Sequence, residues 1–314
     1  MSLSARRLAL LLLLALTVAP PAMMAEAATT RAKSSGTSLQ GSTRSGSRPR
    51  AHRRRGRGRR LPPGGVVWAR NAVVLDPVTD EILYEKNAST TVPIASLSKL
   101  MTAMVFLEQQ PDFDRQVEVT REDLQGAGHT QLRDHERVAI RDLLHMSLMC
   151  SDNVATRALA RESGLPREDF LARMNRHGIE LGLERTRFVE FTGLDERNVS
   201  TATDCARMLR AAAALPTIQE ITTTRSYEFT SEYRTWRRRH QIANTNRLLY
   251  GRYEVRGGKT GFILEAGYCL ATWVHTQGRD LIAVVLGAPT AATRFADVVR
   301  LVQRTTETGA APTP

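Results

Sequence analysis

The chain has 314 residues, a formal net charge of +12 and only 5% aromatic residues. The positive excess is confined: residues 31 to 60 carry eleven Lys or Arg and no acid, whereas residues 61 to 314 carry 31 of each sign. A basic run without interleaved aromatic side chains lacks the stacking platforms of a nucleic-acid binder, and the near-neutral remainder supplies no basic face, so that function class is excluded.

A short basic start, Arg6-Arg7, precedes an apolar run from Leu8 to Val18, and Ala25-Glu26-Ala27 supplies a small-x-small cleavage site. The run is about half of the ~20 apolar residues a membrane-spanning helix needs, so residues 1–27 read as a signal peptide and predict an exported, periplasmic protein. An uncleaved anchor is the alternative. Residues 28–65, rich in Ser, Gly, Thr and Arg, bury too little surface to offset their ordering entropy and read as a disordered linker. Anionic envelope polymers or lipid head groups are the partners its charge suits, with a solvated tether as the plain alternative.

Residues 66–306 show no internal linker or repeat and read as one domain, followed by a flexible tail at 307–314. Ala72 to Asp76 and Glu81 to Lys86, around Pro77-Val-Thr-Asp80, predict a β-hairpin. Apolar residues at helical spacing predict helices over Leu97 to Glu108, Ile140 to Met149, Val154 to Ser163, Glu168 to Leu181 and Ala202 to Ala214. Arg256 to Ile263, Gly267 to His275 and Asp280 to Leu286 predict strands, and Thr290 to Arg304 a closing amphipathic helix. Strands at both ends around a helical middle predict an α/β (α+β) fold, an antiparallel sheet closed by the two ends of the chain with a helical lobe inserted.

Ser96-Leu97-Ser98-Lys99 stands at the start of the first predicted helix, which brings Ser96 and Lys99 onto one face a turn apart. A serine hydroxyl needs a base to become nucleophilic, and a lysine serves only where its surroundings keep it neutral. Alone the pattern is weak, since a capping serine beside a solvated lysine looks the same. Usage strengthens it. The chain has forty Arg and four Lys (33, 86, 99 and 259), and a retained Lys points to work a guanidinium cannot do, such as losing its proton.

Ser151-Asp152-Asn153, between two predicted helices, offers a hydroxyl and an amide for proton transfer and backbone recognition, or an ordinary helix cap. Lys259-Thr260-Gly261 lies on a predicted strand, where the cation and hydroxyl could take a substrate carboxylate and the glycine permits close backbone approach. A phosphate-binding loop at Gly257-Gly258-Lys259-Thr260 is ruled out, because Tyr253 occupies the required upstream glycine position and a strand follows. Cys150, Cys205 and Cys269 allow at most one bridge. Cys150 has no neighbouring His to activate it, so packing explains it better than nucleophilic chemistry. No metal cluster or cofactor fingerprint is evident.

In this order the three motifs form the set shared by penicillin-binding proteins and class A β-lactamases. The blocks Ile94 to Met104, Leu143 to Met149, Arg187 to Leu194, Asn244 to Arg247 and Lys259 to Gly267 resemble more closely the D-alanyl-D-alanine endopeptidase branch of the low-molecular-mass penicillin-binding proteins. The resemblance implies a β-lactamase/transpeptidase-like fold with a five-stranded sheet. It implies Ser96 as acylated nucleophile, Lys99 as general base, Ser151 and Asn153 as second-motif participants, and Lys259 and Thr260 as carboxylate ligands. Gly261 would lie beside the substrate, with the amides of Ser96 and Phe262 forming an oxyanion hole. Peptidoglycan stem peptides are the implied substrate, β-lactam antibiotics covalent inhibitors, and no cofactor is required.

About fifty residues follow Gly261, too few for the second β-rich domain and anchor common among carboxypeptidases of the superfamily. That favours the endopeptidase branch, with removal of terminal D-Ala as the alternative and a catalytically silent wall-binding protein as another. A class A β-lactamase would need a deacylating glutamate in an E-x-x-L-N segment between Asn153 and Lys259, and none is present. Glu190 falls in that interval but in a block shared with the peptidases, so slow hydrolysis of a penicilloyl-enzyme is expected.

Overall fold

The computed structural model describes residues 65–308. The expected signal peptide, all of the expected linker before residue 65, and residues 309–314 lie outside them.

Strands β1 (Asn71–Leu75) and β2 (Ile82–Lys86) form the expected hairpin. A two-residue strand, β3 (Val92–Pro93), leads into a 3-10 turn, Ala95–Leu97, and helix α1 (Ser98–Glu108). The insertion continues with β4 (Gln116–Glu118), α2 (Arg121–Leu124), β5 (Glu136–Ala139), α3 (Ile140–Met149), α4 (Asn153–Arg161) and α5 (Arg167–Glu180). After β6 (Val199–Ser200) come α6 (Ala202–Ala213), α7 (Pro216–Thr223) and a long hairpin, β7 (Ser226–Tyr233) and β8 (Trp236–Ala243). A second 3-10 turn, Arg247–Tyr250, precedes β9 (Glu254–Ile263), β10 (Gly267–Thr276), β11 (Arg279–Ala288) and α8 (Ala291–Thr308).

The main sheet is antiparallel in the order β2-β1-β11-β10-β9, so the first strands of the domain pair with the last. Its central strands are apolar on both faces. On β11, Ile282, Val284 and Leu286 join the core shared with α6 and the inserted lobe, while Leu281, Ala283 and Val285 pack with Val298, Leu301 and Val302 of α8. Burial on both sides turns a period-two pattern into a continuous apolar run. Each such side chain contributes about 1.5–3 kcal/mol.

The lobe is not purely helical. A four-stranded sheet, β4-β5-β7-β8, stands beside its helices. Its inward positions hold Glu136, Ser231 and His240 beside the apolar Val117, Val138, Phe229 and Ile242, and the three polar residues are joined: His240 Nε2 lies 2.6 Å from Glu136 Oε1, and the Ser231 hydroxyl donates to the same oxygen. Arg238 adds an ion pair to Glu136 at 3.0 Å. A buried charge tolerated through several partners interrupts the apolar alternation that would mark these strands.

α8 runs past the expected Arg304 end to Thr308. Thr305 and Thr306 are buried and return hydroxyl hydrogen bonds to Leu301 and Val302, which extends the helix through β-branched residues. No helix among the described residues is long and apolar enough to cross a membrane.

Candidate active site

α1 sets the site's electrostatics. From Ser98 to Phe106 every residue is buried, with α3, α4, α5 and α6 packed around it. A helix enclosed on all sides is mostly apolar; Ser98 and Thr102 are its buried hydroxyls, and Lys99, fully buried in its first turn, is its one buried cation. Burial penalises the ammonium form and lowers Lys99 to about 7, against an opposing pull from Glu190 and Asp152. The Lys99 amine reaches three oxygens: Ser96 Oγ at 3.0 Å, Asn153 Oδ1 at 2.7 Å and the Thr192 carbonyl at 2.6 Å.

Ser96 does not begin the α-helix itself. It sits in the 3-10 turn, and Leu97 is the residue before α1. The preceding Ala95 has φ +49°, a left-handed conformation that an alanine adopts only at a cost, and Ser151 is held likewise at φ +65°. Strain at both hydroxyl-bearing turns aims their side chains where a relaxed helix start would not.

Asp152 is the N-cap of α4, accepting from Ala155 N–H at 3.0 Å, and its second oxygen accepts from Thr130 Oγ1 at 2.7 Å. The capping alternative therefore holds for the middle residue of the second motif, while its neighbours point elsewhere. Asn153 donates its amide to Ala127 O at 2.8 Å and accepts from Lys99; Ser151 Oγ accepts from Lys259 Nζ at 2.7 Å. Burial, and then the neighbouring Lys99 charge, hold Lys259 well below the usual amine range, so a carboxylate arriving there would draw a proton onto it.

β9 is the outer strand of its sheet and runs directly past the nucleophile. A Cβ at Gly261 would stand 3.0 Å from the Ser96 amide nitrogen, so any larger residue would push the strand and this turn apart by a few tenths of an ångström. Thr260 Oγ1 meets Thr245 Oγ1 at 2.6 Å, and Phe262 is half exposed at the rim, stacked on Tyr268. The eight residues singled out in the sequence are thus joined through these contacts, apart from Phe262 at the edge.

Three further contributors are less visible in sequence. Thr192 acts through its backbone carbonyl. Thr245 ties to Met149 O at the end of α3 by its amide and hydroxyl, fixing the approach to Ser151. Arg294, buried under β9, donates to Gly261 O at 3.1 Å and Cys269 O at 3.4 Å. Its signal was an arginine on the apolar stripe of an amphipathic helix, in step with Val298 and Leu301. A cavity of about 720 Å³ is lined in part by Gly126, Arg157, Glu190 and Leu194, and by none of the eight residues above.

All three cysteines are free. The Cys150 thiol is pushed up to about 11 by burial, then by the Asp152 charge, and points to Met146 O, which keeps it an inert packing group.

The family model for D-alanyl-D-alanine carboxypeptidase matches residues 61–290. A D-alanyl-D-alanine endopeptidase of Pseudomonas aeruginosa is 36% identical over 253 residues, 79% of this chain and 80% of its own length. Among solved structures, a Streptomyces DD-transpeptidase superposes with a TM-score of 0.73 at 27% identity, covering 77% of this chain and 98% of its own. A penicillin-binding protein from Listeria monocytogenes in its cefotaxime-bound form gives 0.68 at 32% identity, covering 78% of this chain and all of its own. With its lysine beside its serine and a glycine-lined strand edge alongside, the chain belongs to the D-alanyl-D-alanine carboxypeptidase family of serine peptidases.

Proposed function

We propose that this chain is a D-alanyl-D-alanine peptidase of peptidoglycan stem peptides that works through an acyl-enzyme on Ser96, with cross-link cleavage as its principal activity. The observation that carries the reading is the Lys99 amine 3.0 Å from Ser96 Oγ, buried and held near neutrality at about 7. In this scheme Lys99 takes the Ser96 proton as Oγ attacks the carbonyl of a D-alanyl residue. The oxyanion is received by the amides of Ser96 and Phe262, each donor contributing a few kcal/mol. Collapse expels the distal amine, which receives its proton through Lys99 or the Ser151–Lys259 pair, and water then releases the acyl group. Lys259 and Thr260 take the carboxylate beside the leaving amine, and Gly261 lets the peptide lie along β9 as an added strand.

Endopeptidase action is preferred because the Pseudomonas aeruginosa relative carries that name over four-fifths of its length. Export, through the basic and apolar start, brings the domain to its substrate in the periplasm. The eleven cations of residues 31 to 60 suit anionic envelope polymers. β-Lactams, as mimics of the same peptide bond, acylate Ser96.

The test is to incubate the purified chain and its Ser96→Ala variant with a cross-linked muropeptide dimer and with a monomeric pentapeptide, following products by mass. Conversion of the dimer to monomers by the parent alone is expected. Loss of terminal D-Ala alone, from the pentapeptide, would make it a carboxypeptidase, and no Ser96-dependent product from either would end the peptidase reading. A pH profile is a second check. Because Lys99 must be neutral to act, the rate of acylation by a fluorescent penicillin should fall as pH drops through about 7, about tenfold for each unit well below it. A rate unchanged from pH 5.5 to 8.5 would remove Lys99 as base.

A further inference from the structure

Glu190 lies in the loop that presents the Thr192 carbonyl to Lys99, and its carboxylate is enclosed by donors. Oε2 accepts from Thr192 N–H and Thr192 Oγ1, each at 2.7 Å; Oε1 accepts from Gly193 N–H and from Asn198 Nδ2, the latter at 3.0 Å. Four donors fill the roughly four lone-pair sites of a carboxylate. The loop is buckled onto the nucleophile's own segment from both sides. Asn198, fully buried, accepts from the amides of Val189 and Glu190, donates to Ser98 Oγ at 3.1 Å, and accepts at its carbonyl from Ile94 N–H. Thr102 Oγ1 on α1 donates to Phe191 O at 2.6 Å.

We infer that Glu190 is a positioning residue for the base: its carboxylate folds the 189–194 loop so that the Thr192 carbonyl meets the Lys99 amine, and its charge faces that amine. It holds the base in place and sets the pH at which the base becomes available. With its acceptor sites filled, Glu190 has none for a hydrolytic water, so it does not supply the deacylating function of a β-lactamase glutamate.

The charges that reach Lys99 come from each side of α1. Glu190 approaches from the loop, Asp152 and Arg157 from α4, the neutral thiol of Cys150 from the end of α3, and Lys259 from β9; α5 meets α1 through Met174 at Thr102. Glu190 is the strongest of the charges that favour the ammonium form, ahead of Asp152. Removing it therefore lowers the pH at which Lys99 deprotonates.

This inference rests on Lys99 being the base, and the experiment separates the two. Acylation by a fluorescent penicillin is followed from pH 4.5 to 9 in the full chain and in Glu190→Gln, with thermal melting to establish folding. The expected result is an acidic limb displaced downward by about one pH unit, with the high-pH plateau reduced about tenfold. An acidic limb at the parent's position in a folded Gln variant overturns the inference while leaving the function intact. A parent with no limb near 7 overturns the base itself. Should the Gln variant not fold, Asn198→Ala decides: it keeps the charge but removes a donor, so the limb stays while the plateau falls, and an unchanged plateau or a falling limb overturns the proposal.

Discussion

Replacing Lys99 by Arg is expected to slow acylation of Ser96 by roughly three orders of magnitude at every pH from 6 to 9. A guanidinium keeps its proton across that range, so the acid limb disappears together with the rate. The bulkier cation also enters a fully buried position, so a loss of stability accompanies the change. Lys99→Met separates the two effects, since it is neutral and similar in length, and should fold yet react as slowly as the Arg variant. Acylation by the Met variant at more than a tenth of the parental rate would mean that another group takes the Ser96 proton. The stopped-flow appearance of the labelled adduct, read beside a melting curve, measures both.

Gly193→Ala is expected to be the most damaging single-methyl addition near the site. The new Cβ would stand 1.9 Å from Ala95 O and 2.7 Å from Ser96 N, contacts with backbone that cannot swing aside. The φ of +84° adds about 1–2 kcal/mol for any L side chain. Relief requires moving either the Glu190 loop or the strained turn that holds Ser96. A loss of about 3 kcal/mol or more in stability, or acylation slowed at least a hundredfold, is the expected outcome. Gly164→Ala is the control. Its φ of +81° imposes the same conformational cost, but nothing lies within 4 Å of its Cβ, so it should lose only about 1–2 kcal/mol and keep its activity. Equal effects of the two would show that the contact between Gly193 and Ala95 yields easily.

The main sheet was legible because its central strands are apolar on both faces and short Gly-containing turns separate the last three. α3 has the predicted bounds, β1 is shifted by one residue from the expected 72–76, and β2 starts one residue after the expected Glu81. The four-stranded sheet of the lobe was not legible. β7 and β8 turn Ser231, His240 and Arg238 inward, toward Glu136, and their turn holds Arg234 at φ +54° in place of a glycine. Polar side chains interrupt the alternation begun by Phe229 and Ile242 there, and no local pattern encodes their pairing. At the site, the residues proposed as nucleophile, base and carboxylate ligands stood out because three motifs occur in order and Lys is rare in this chain. The Thr192 carbonyl could not, because a backbone group has no residue type to read. The 3-10 turn at Ser96 was hidden because the segments that pack against it, at Gly193 and Gly261, are distant in sequence.

The pairing of β1 with β11 sets Asn71 against Leu286, and Asp297 of α8 accepts from the amides of Trp68 and Ala69. Synthesis delivers the first of these partners long before the last. Until residues 279–288 emerge, the hairpin of β1 and β2 has no neighbour, and an isolated hairpin is marginal in water. The nascent chain therefore cannot complete its main sheet until its last strands have been made. The same arrangement leaves the apolar Ala72–Leu75 segment without its β11 partner throughout that interval, so its burial is completed among the last events of folding.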